Sequence, residues 1–201
     1  MFNINILIAL VVGYVFGSIP FALVVGKVFY KTDVREHGSG NLGGSNAGRV
    51  LGKKAGLAVI LLDAFKSVIA MTLVSLIDPS TIMYAGFAAA VGHCYPMFAN
   101  FKGGKAVATI AGYVLGLIFF GYVPFYNALI PLAVFLLVLK LTKYVSLSSI
   151  IMLGLAAVMT LVNSGITEGL TLVVLWAFST YRHRGNIVRI KEGTENKVKW
   201  I

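Results

Sequence analysis

The sequence predicts an all-helical protein that crosses a membrane several times. Hydrophobic residues make up 58% of its 201 residues and charged residues 12%, against about 25% charged in an average soluble domain. The mean hydropathy is +0.88, and the apolar residues fall into long stretches separated by short polar segments. A soluble domain of this composition would have too few polar residues to cover its core. These observations exclude an ordinary soluble domain and a disordered chain.

Seven apolar stretches are candidate membrane-spanning helices, since about 20 apolar residues at about 1.5 Å per residue cross a bilayer. They cover residues 4–30, 55–77, 80–99, 106–123, 124–139, 147–162 and 167–181. Proline removes a helix hydrogen bond, so Ser18-Ile19-Pro20 predicts a kink in the first stretch. Turn residues such as Asp78-Pro79 and Asn163-Ser164-Gly165 separate others. The third and the fifth to seventh stretches are short or weakly apolar, which leaves five or six crossings as the alternative.

The positions of the basic residues predict the orientation. All 17 Lys and Arg residues except Lys27 and Lys66 lie in segments 31–54, 100–105 and 140–146 and in the tail from Arg182. The positive-inside rule places such segments in the cytoplasm, so seven helices with the N-terminus outside and the C-terminus inside satisfy the pattern. The chain is then one membrane domain, residues 1–201, with cytoplasmic motif segments at about 31–54, 99–105 and 182–201. Topology alone explains Lys140, Lys143, Lys197 and Lys199.

The first motif, residues 37–49, has the composition of an anion-binding loop. It contains five glycines, which let backbone N–H groups approach an anion closely. Ser39, Asn41 and Asn46 supply hydrogen-bonding groups, and Arg49 can bind a phosphate through two parallel hydrogen bonds. A flexible connection is the alternative, but it would need neither the asparagines nor the arginine. The motif is therefore a candidate phosphate site.

The second motif, residues 92–109, contains a Lys-Gly-Gly-Lys turn (residues 102–105) directly before the fourth apolar stretch. Helix N-termini attract phosphate, and Lys105 adds a full charge. The turn is not a nucleotide-binding P-loop, because the upstream glycine and the strand are missing. A positively charged anchor with a tight turn is the alternative. His93, upstream, is expected to be a hydrogen-bonded packing residue rather than a base.

The third motif, residues 182–195, follows the last apolar stretch. Contact with anionic lipid would explain its arginines, at about 1 kcal/mol per charge. It would not explain His183 and Asn186, which share one side of a helical turn if the helix continues. Because histidine changes charge near neutral pH, His183 is the candidate titrating group.

Ionisable residues inside the predicted membrane region are few. Asp63 and Lys66 are predicted to pair with each other or with the loops, because unpaired charges are costly in a bilayer. The single cysteine, Cys94, excludes an intrachain disulfide and a cysteine-based metal site, and is expected to be a packing residue. The three histidines are separate in sequence and form no metal-ligand pattern.

The three motifs together resemble the signatures of the bacterial membrane acyl-phosphate:glycerol-3-phosphate acyltransferases, the PlsY type. Those signatures are G-S-G-N-x-G-A-T-N-x-x-R, G-H-x-x-P-x-x-x-x-F-K-G-G-K-x-V-A-T and R-H-x-x-N-I-x-R, and this chain carries them in the same order. It departs at Gly44-Ser45, where the family has Ala-Thr, and at Ala106, where the family often has Gly.

The resemblance implies transfer of a fatty acyl chain from acyl phosphate to the 1-hydroxyl of sn-glycerol 3-phosphate. The products would be 1-acylglycerol 3-phosphate (lysophosphatidate) and phosphate, in the first acylation step of phospholipid biosynthesis. The partners would be both substrates, the lipid bilayer and, as a candidate, the soluble enzyme that makes acyl phosphate, with no cofactor, metal or nucleic acid. The protein would lie in the bacterial cytoplasmic (inner) membrane, with its active site facing the cytoplasm. Acyl phosphate is already an activated anhydride, so no covalent enzyme intermediate is needed.

The resemblance and the chemistry of the residues together predict roles for individual residues. The catalytic set is Ser39, Arg49, Lys105, His183 and Asn186. The set that binds substrate or phosphate is Gly40, Asn41, Asn46, Lys102, Gly103, Gly104, Ser146 and Arg189. The structural set is Asp63, Lys66, His93 and Glu195. Two acceptors are open for the proton of the attacking hydroxyl, His183 and the acyl phosphate itself, and the resemblance favours the acyl phosphate.

Two other classes of protein fit part of the sequence. A transporter or channel for phosphorylated metabolites would also carry basic loops, but it would bind near the bilayer midplane, whereas the polar residues here crowd one predicted face. A non-catalytic scaffold for anionic lipids would need basic loops without the glycine turns and asparagines. A transporter would move phosphorylated metabolites across a membrane without forming an acylated product. A scaffold would show neither transport nor product.

Overall fold

The computed structural model describes residues 3–198, and its regular elements within that range are helices. Lys199, one of the basic residues of the predicted tail, lies outside the described residues. The helices are α1 (Ile4–Gly17), α2 (Phe21–Phe29), α3 (Gly44–Val50), α4 (Lys53–Ser75), α5 (Ile82–Cys94), α6 (Val107–Phe119), α7 (Tyr126–Thr142), α8 (Val145–Asn163), α9 (Ile166–Arg182) and α10 (Arg184–Lys191). Short 3-10 turns cover Pro79–Thr81 and Met97–Ala99.

The prediction of an all-helical protein with membrane-spanning helices is confirmed. Within the described residues, three helical segments are long and apolar enough to cross a membrane: Ile4–Phe29, Lys53–Ser75 and Val145–Asn163. Two shorter apolar helices are α6 and α7. Each of the seven predicted stretches contains a helix, but seven crossings and the orientation of the termini stay predictions.

The first spanning segment is broken where the sequence predicts a kink. Helix α1 ends at Gly17 and α2 begins at Phe21, with Ser18, Ile19 and Pro20 between them. The break leaves the carbonyl of Ile19 without a regular helical partner, and the Lys66 ammonium donates to it at 3.0 Å. Lys66 of α4 therefore supplies a hydrogen bond to a carbonyl group at the break between α1 and α2.

The chain divides into two compact units, up to Gly116 and from Leu117. In the first unit, α1 packs most extensively against α5. A Cβ at Gly13 would collide with the backbone of Ala85, and one at Gly17 with the backbone of Ala89. The two helices therefore approach backbone to backbone, as small residues allow in membrane helices.

Helix α3 lies inside the first motif, where the sequence analysis expected a loop. Its seven residues include two glycines, which disfavour a helix. Tertiary packing overrides that preference: a side chain at Gly44 would collide with Ile60 of α4, and Gly48 lies against Gly56. Beneath it is a cluster of buried apolar residues, namely Ala22, Val25, Val34, Leu42, Ala47, Ala55, Val59 and Ala99. The cluster fixes the first motif on α2 and α4.

In the second unit, α8 packs between α7 and α9. Asn127 of α7 is fully buried and donates to Thr160 Oγ1 at 3.0 Å and to Asn163 Oδ1 at 3.1 Å, both on α8. Trp176 of α9 donates its indole N–H to the carbonyl of Ile150 at 3.0 Å. Polar contacts thus tie α8 to both neighbours.

Ala106, at the start of α6, has a left-handed backbone with φ of 61°. We expect Ala106→Gly to be tolerated within about 0.5 kcal/mol, because relief of about 1–2 kcal/mol of strain offsets the loss of a buried methyl, worth about 0.8 kcal/mol, and the greater flexibility of the unfolded chain. Ala111→Gly, inside α6, is the matched control and should cost about 1 kcal/mol. Thermal unfolding of the two purified variants checks the ranking; an equal loss in both would contradict it.

Candidate active site

Asn46 holds the first motif in place. Its buried side chain accepts from the backbone N–H of Ser39 at 2.8 Å and from the Ser39 hydroxyl at 3.2 Å. Its amide donates to the carbonyls of Val34 at 2.9 Å and His37 at 3.3 Å. One side chain on α3 therefore holds the residues on both sides of Gly38, and Ser39 remains exposed.

The glycine turn itself needs left-handed backbone. Gly38 has φ of 61° and Gly40 has φ of 68°, and the N–H of Gly40 closes the turn on the carbonyl of His37 at 3.1 Å. A Cβ at Gly38 would collide with Asn46 Oδ1. The turn can therefore form in this shape only with glycine at these two positions.

An open cavity of about 410 Å³ lies over the first motif and is lined by Thr32, His37, Gly38, Arg49 and Val50. Arg49 is exposed on α3, and its guanidinium donates to Ser45 Oγ at 3.2 Å. A guanidinium has five N–H donors, so this bond leaves capacity to bind an anion in the cavity. The sequence analysis did not single out Thr32 and His37, although polar residues beside a glycine turn are the signal that could have found them.

Other polar groups of this region are arranged around the motif. Asn41 Oδ1 is buried without a hydrogen-bond partner among residues 3–198, so its capacity to accept a hydrogen bond is unused there. At the start of the segment that connects α2 to α3, Asp33 pairs with Arg35 at 2.6 Å and with Lys27 at 3.3 Å. The hydrogen bond from Arg35, opposed by partial burial and helped by Lys27, holds the pKa of Asp33 well below its ordinary value.

The Lys-Gly-Gly-Lys turn lies against the end of α5. The N–H of Gly103 donates to the carbonyl of Cys94 at 3.2 Å, and the N–H of Gly104 donates to the carbonyl of His93 at 3.0 Å. A Cβ at Gly104 would collide with the His93 ring and would lie 3.0 Å from the carbonyl oxygen of Leu42 in the first motif. The first and second motifs therefore meet at Gly104. Lys102 is exposed and Lys105 half-buried beside this contact.

Behind the turn, the ion pair predicted within α4 is present. Lys66 Nζ lies 2.8 Å from Asp63 Oδ1, with both side chains buried. The ammonium also lies 2.9 Å from Nδ1 of His93, which is itself 3.4 Å from Asp63 Oδ1. His93 is therefore a buried, hydrogen-bonded residue, and Cys94 beside it is buried as well.

In the second unit, the Glu195 carboxylate gathers three residues of the predicted site. Ser146 donates to Oε1 at 2.9 Å, Asn186 to Oε1 at 2.6 Å, and Arg189 to Oε2 at 2.8 Å. Burial raises the pKa of Glu195, but the hydrogen bonds from Asn186, Ser146 and Arg189 outweigh it and hold the pKa below its usual value. The carboxylate therefore stays ionised as the centre of the cluster.

His183 lies at the junction of α9 and α10 and is buried. Its Nδ1 lies 2.8 Å from the carbonyl of Ser179. Because a carbonyl only accepts, Nδ1 carries the hydrogen, and Nε2 is the acceptor nitrogen of the neutral ring. The N–H of Asn186 donates to the carbonyl of His183 at 2.8 Å, so the two residues share one helical turn.

The chain matches the family model described as glycerol-3-phosphate acyltransferase over residues 7–193. It is similar to the glycerol-3-phosphate acyltransferase of Geobacillus kaustophilus, with 49% identity over 196 residues that cover 95% of both chains. It is 45% identical to that of Listeria monocytogenes, in an alignment of 209 positions that covers 99% of this chain and all of the relative.

Two crystal structures of PlsY, an integral membrane glycerol 3-phosphate acyltransferase, share the fold. The glycerol 3-phosphate form has a TM-score of 0.87 and 34% identity, covering 96% of this chain and 95% of that chain. The lysophosphatidic acid form has a TM-score of 0.84 and 34% identity, covering 96% and 94%.

Proposed function

Because the chain belongs to the glycerol-3-phosphate acyltransferase family of the PlsY type, we propose that it moves a fatty acyl chain from acyl phosphate to the 1-hydroxyl of glycerol 3-phosphate. One observation carries the choice of substrates: two loops of phosphate-binding composition meet at Gly104. Both proposed substrates carry a phosphate, and the fatty tail of the donor suits a protein surrounded by lipid. The seven crossings, the cytoplasmic site and the inner membrane location belong to the same proposal.

The proposed reaction needs no covalent intermediate. The oxygen of the glycerol hydroxyl attacks the acyl carbon, the bond from that carbon to the phosphate oxygen breaks, and inorganic phosphate leaves with the electron pair. The hydroxyl proton passes to the departing phosphate. Positioning and charge stabilisation can then supply most of the rate.

Residues of the first unit act on the phosphates in this proposal. Arg49 and Lys105 neutralise the charge that develops on the acyl carbonyl and the leaving phosphate, and Ser39 orients the reacting groups. Asn41 accepts from a substrate hydroxyl through its unpartnered oxygen, and Asn46 keeps the turn in shape. The backbone of Gly40, Gly103 and Gly104 and the side chain of Lys102 complete the phosphate contacts.

Residues of the second unit orient the glycerol phosphate or the reacting carbonyl. His183 and Asn186 are the proposed contacts, and Arg189 adds hydrogen-bond donors for phosphate. Ser146 has one hydroxyl hydrogen, which it donates to Glu195, so it would bind phosphate by exchanging that bond. Glu195 positions three of these four residues through its carboxylate. The soluble enzyme that makes acyl phosphate is the proposed protein partner.

Acyl transfer by the purified protein in lipid tests the proposal. Palmitoyl phosphate and labelled glycerol 3-phosphate are supplied, with palmitoyl-CoA as the alternative donor. Labelled lysophosphatidate from palmitoyl phosphate alone would support both the reaction and the donor. Product from palmitoyl-CoA alone would keep the acyl transfer and overturn the donor. No product from either, in a folded preparation, would overturn the reaction and make a vesicle flux assay the next measurement.

His183→Gln is expected to retain measurable turnover at neutral pH, because the acyl phosphate takes the proton in the proposed step. The loss should stay below about a hundredfold, the lower end of what a general base contributes. Initial rates from pH 6 to 8 check this, with binding of both substrates measured separately. Complete loss of turnover with binding intact would make His183 the base.

A further inference from the structure

A buried charged cluster lies directly behind the Lys-Gly-Gly-Lys turn. Asp63 and Lys66 are on α4 and His93 is on α5, and their exposed fractions are 1%, 2% and 7%. Lys66 Nζ contacts three atoms: Asp63 Oδ1 at 2.8 Å, His93 Nδ1 at 2.9 Å and the carbonyl oxygen of Ile19 at 3.0 Å. Each contact has hydrogen-bond length.

The lysine determines where the histidine proton is. An ammonium has three N–H donors and no lone pair, so each of its three neighbours must accept. The carboxylate and the carbonyl do so by their nature, which requires Nδ1 of His93 to accept as well. A ring nitrogen that accepts carries no hydrogen. An imidazolium at 2.9 Å from the ammonium would meet strong repulsion.

His93 therefore has its hydrogen on Nε2, the nitrogen that faces Gly104. A Cβ at Gly104 would collide with that nitrogen, which shows how closely the ring lies against the turn. The backbone of His93 also accepts from the N–H of Gly104 at 3.0 Å. The same histidine thus contacts the turn through both its ring and its backbone.

We propose that Lys66, held by Asp63, fixes His93 as the neutral Nε2–H tautomer, and that His93 is a positioning residue that holds the Lys-Gly-Gly-Lys turn in the shape that binds a phosphate monoester. The identity of that monoester as glycerol 3-phosphate or acyl phosphate rests on the proposed function. The tautomer does not, because it follows from the 2.9 Å contact of Lys66 Nζ with Nδ1, which is shorter than the 3.4 Å between Nδ1 and Asp63 Oδ1.

The need to fill space in the protein interior does not explain why these buried positions carry charged residues. Apolar residues of similar volume often stabilise a protein as well as a buried ion pair does, or better. A fixed ammonium determines the orientation of the His93 ring, because its three donors point at set angles and allow one orientation of the imidazole. A turn that is already in its binding shape loses less entropy when it binds an anion.

The tautomer is measured by nitrogen NMR on the whole protein in micelles, with ¹⁵N-labelled histidine. The signal of His93 is assigned by its loss in His93→Gln, which separates it from His37 and His183. We expect an unprotonated Nδ1 and a protonated Nε2 throughout pH 6 to 8. The opposite tautomer, or a doubly protonated ring in that range, would overturn the proposal.

The positioning role is tested with the double variant Asp63→Asn/Lys66→Met, which removes both charges and leaves neither unpaired. We expect it to fold, to show both tautomers of His93, and to raise KM for glycerol 3-phosphate at least tenfold while kcat changes less than threefold. An unchanged KM in the folded variant would overturn the role.

His93→Asn and His93→Gln form a second matched pair, since Asn keeps an acceptor near Nδ1 and Gln keeps a polar group near Nε2. Each should raise KM, because positioning needs both nitrogens, and an unchanged KM in either would count against it.

Failure of the proposed function is distinguishable from failure of this inference. If no acyl donor is used, glycerol 3-phosphate and inorganic phosphate serve as the probes, and their binding is measured by calorimetry. Weaker binding of either probe to the folded double variant than to the wild type would support the positioning role without any turnover. Equal binding of both would overturn it.

Discussion

Replacing Arg49 or Lys105 by alanine is expected to lower kcat/KM for acyl transfer by at least about a hundredfold. Arg49 lines the cavity over the first motif, and Lys105 directly follows Gly104, at which the first and second motifs meet. Loss of a single donor that stabilises developing negative charge costs about 10²–10³ in rate in other enzymes. A full positive charge that acts on a phosphate should matter at least as much.

The control is Lys140→Ala, which removes one exposed cation at the end of α7, where no role is proposed. It should change kcat/KM by less than about twofold, because an exposed charge contributes little. Arg49→Lys adds a finer test: it keeps the charge and loses the planar fork, so it should recover only part of the rate. Nearly full activity in Arg49→Ala or Lys105→Ala would contradict the site assignment.

Glu195→Ala is expected to lower both the thermal stability and the rate. Without the carboxylate, the buried side chains of Ser146 and Asn186 lose the acceptor that they share, and Arg189 loses its ion pair. Each buried unpaired group costs about 1–3 kcal/mol, which for a protein of this size corresponds to a fall in Tm of several degrees. The rate should fall at least about tenfold, because Asn186 is no longer oriented.

Glu195→Gln separates shape from charge. Its amide oxygen can still accept from Ser146 and Asn186, whereas its nitrogen cannot accept from Arg189, so an intermediate loss is expected. The pKa of Glu195 is lowered in the folded protein, so the stability from its charge is present above the ordinary range and is lost as pH falls through the folded value. The Tm difference between wild type and Glu195→Gln should thus be constant from pH 6 to 8 and shrink only below about pH 4. A difference that shrinks near pH 6 would contradict this.

Hydropathy predicted the helices because bilayer length and apolar composition constrain a spanning segment strongly. It located the broken first span, since proline acts locally at residue 20. It missed α3, because burial of Asn46 and the contact with α4 override a glycine-rich composition. Predictions made from local sequence composition do not take such tertiary contacts into account.

The motif residues were found from composition, but their partners were not. Glu195 was expected to be structural, yet nothing in its neighbourhood indicated that it would bind Ser146, 49 positions away. Likewise, Thr32 and His37 join Arg49 only through the folded turn. Spacing reveals which residues carry the chemistry, whereas the contacts that orient them arise from packing between distant segments.

The backbone contact between α1 and α5 affects how the protein is made. The helix that α1 packs against most extensively lies about seventy residues further along the chain. At about 5–20 residues per second, the ribosome needs roughly 4–14 s to synthesise that interval. During that time α1 is in the bilayer while Gly13 and Gly17 face lipid, and α4 emerges before the final contact can form. Helix α1 therefore completes its packing only after α5 has been synthesised, so a defect in α5 would leave α1 exposed to membrane quality control.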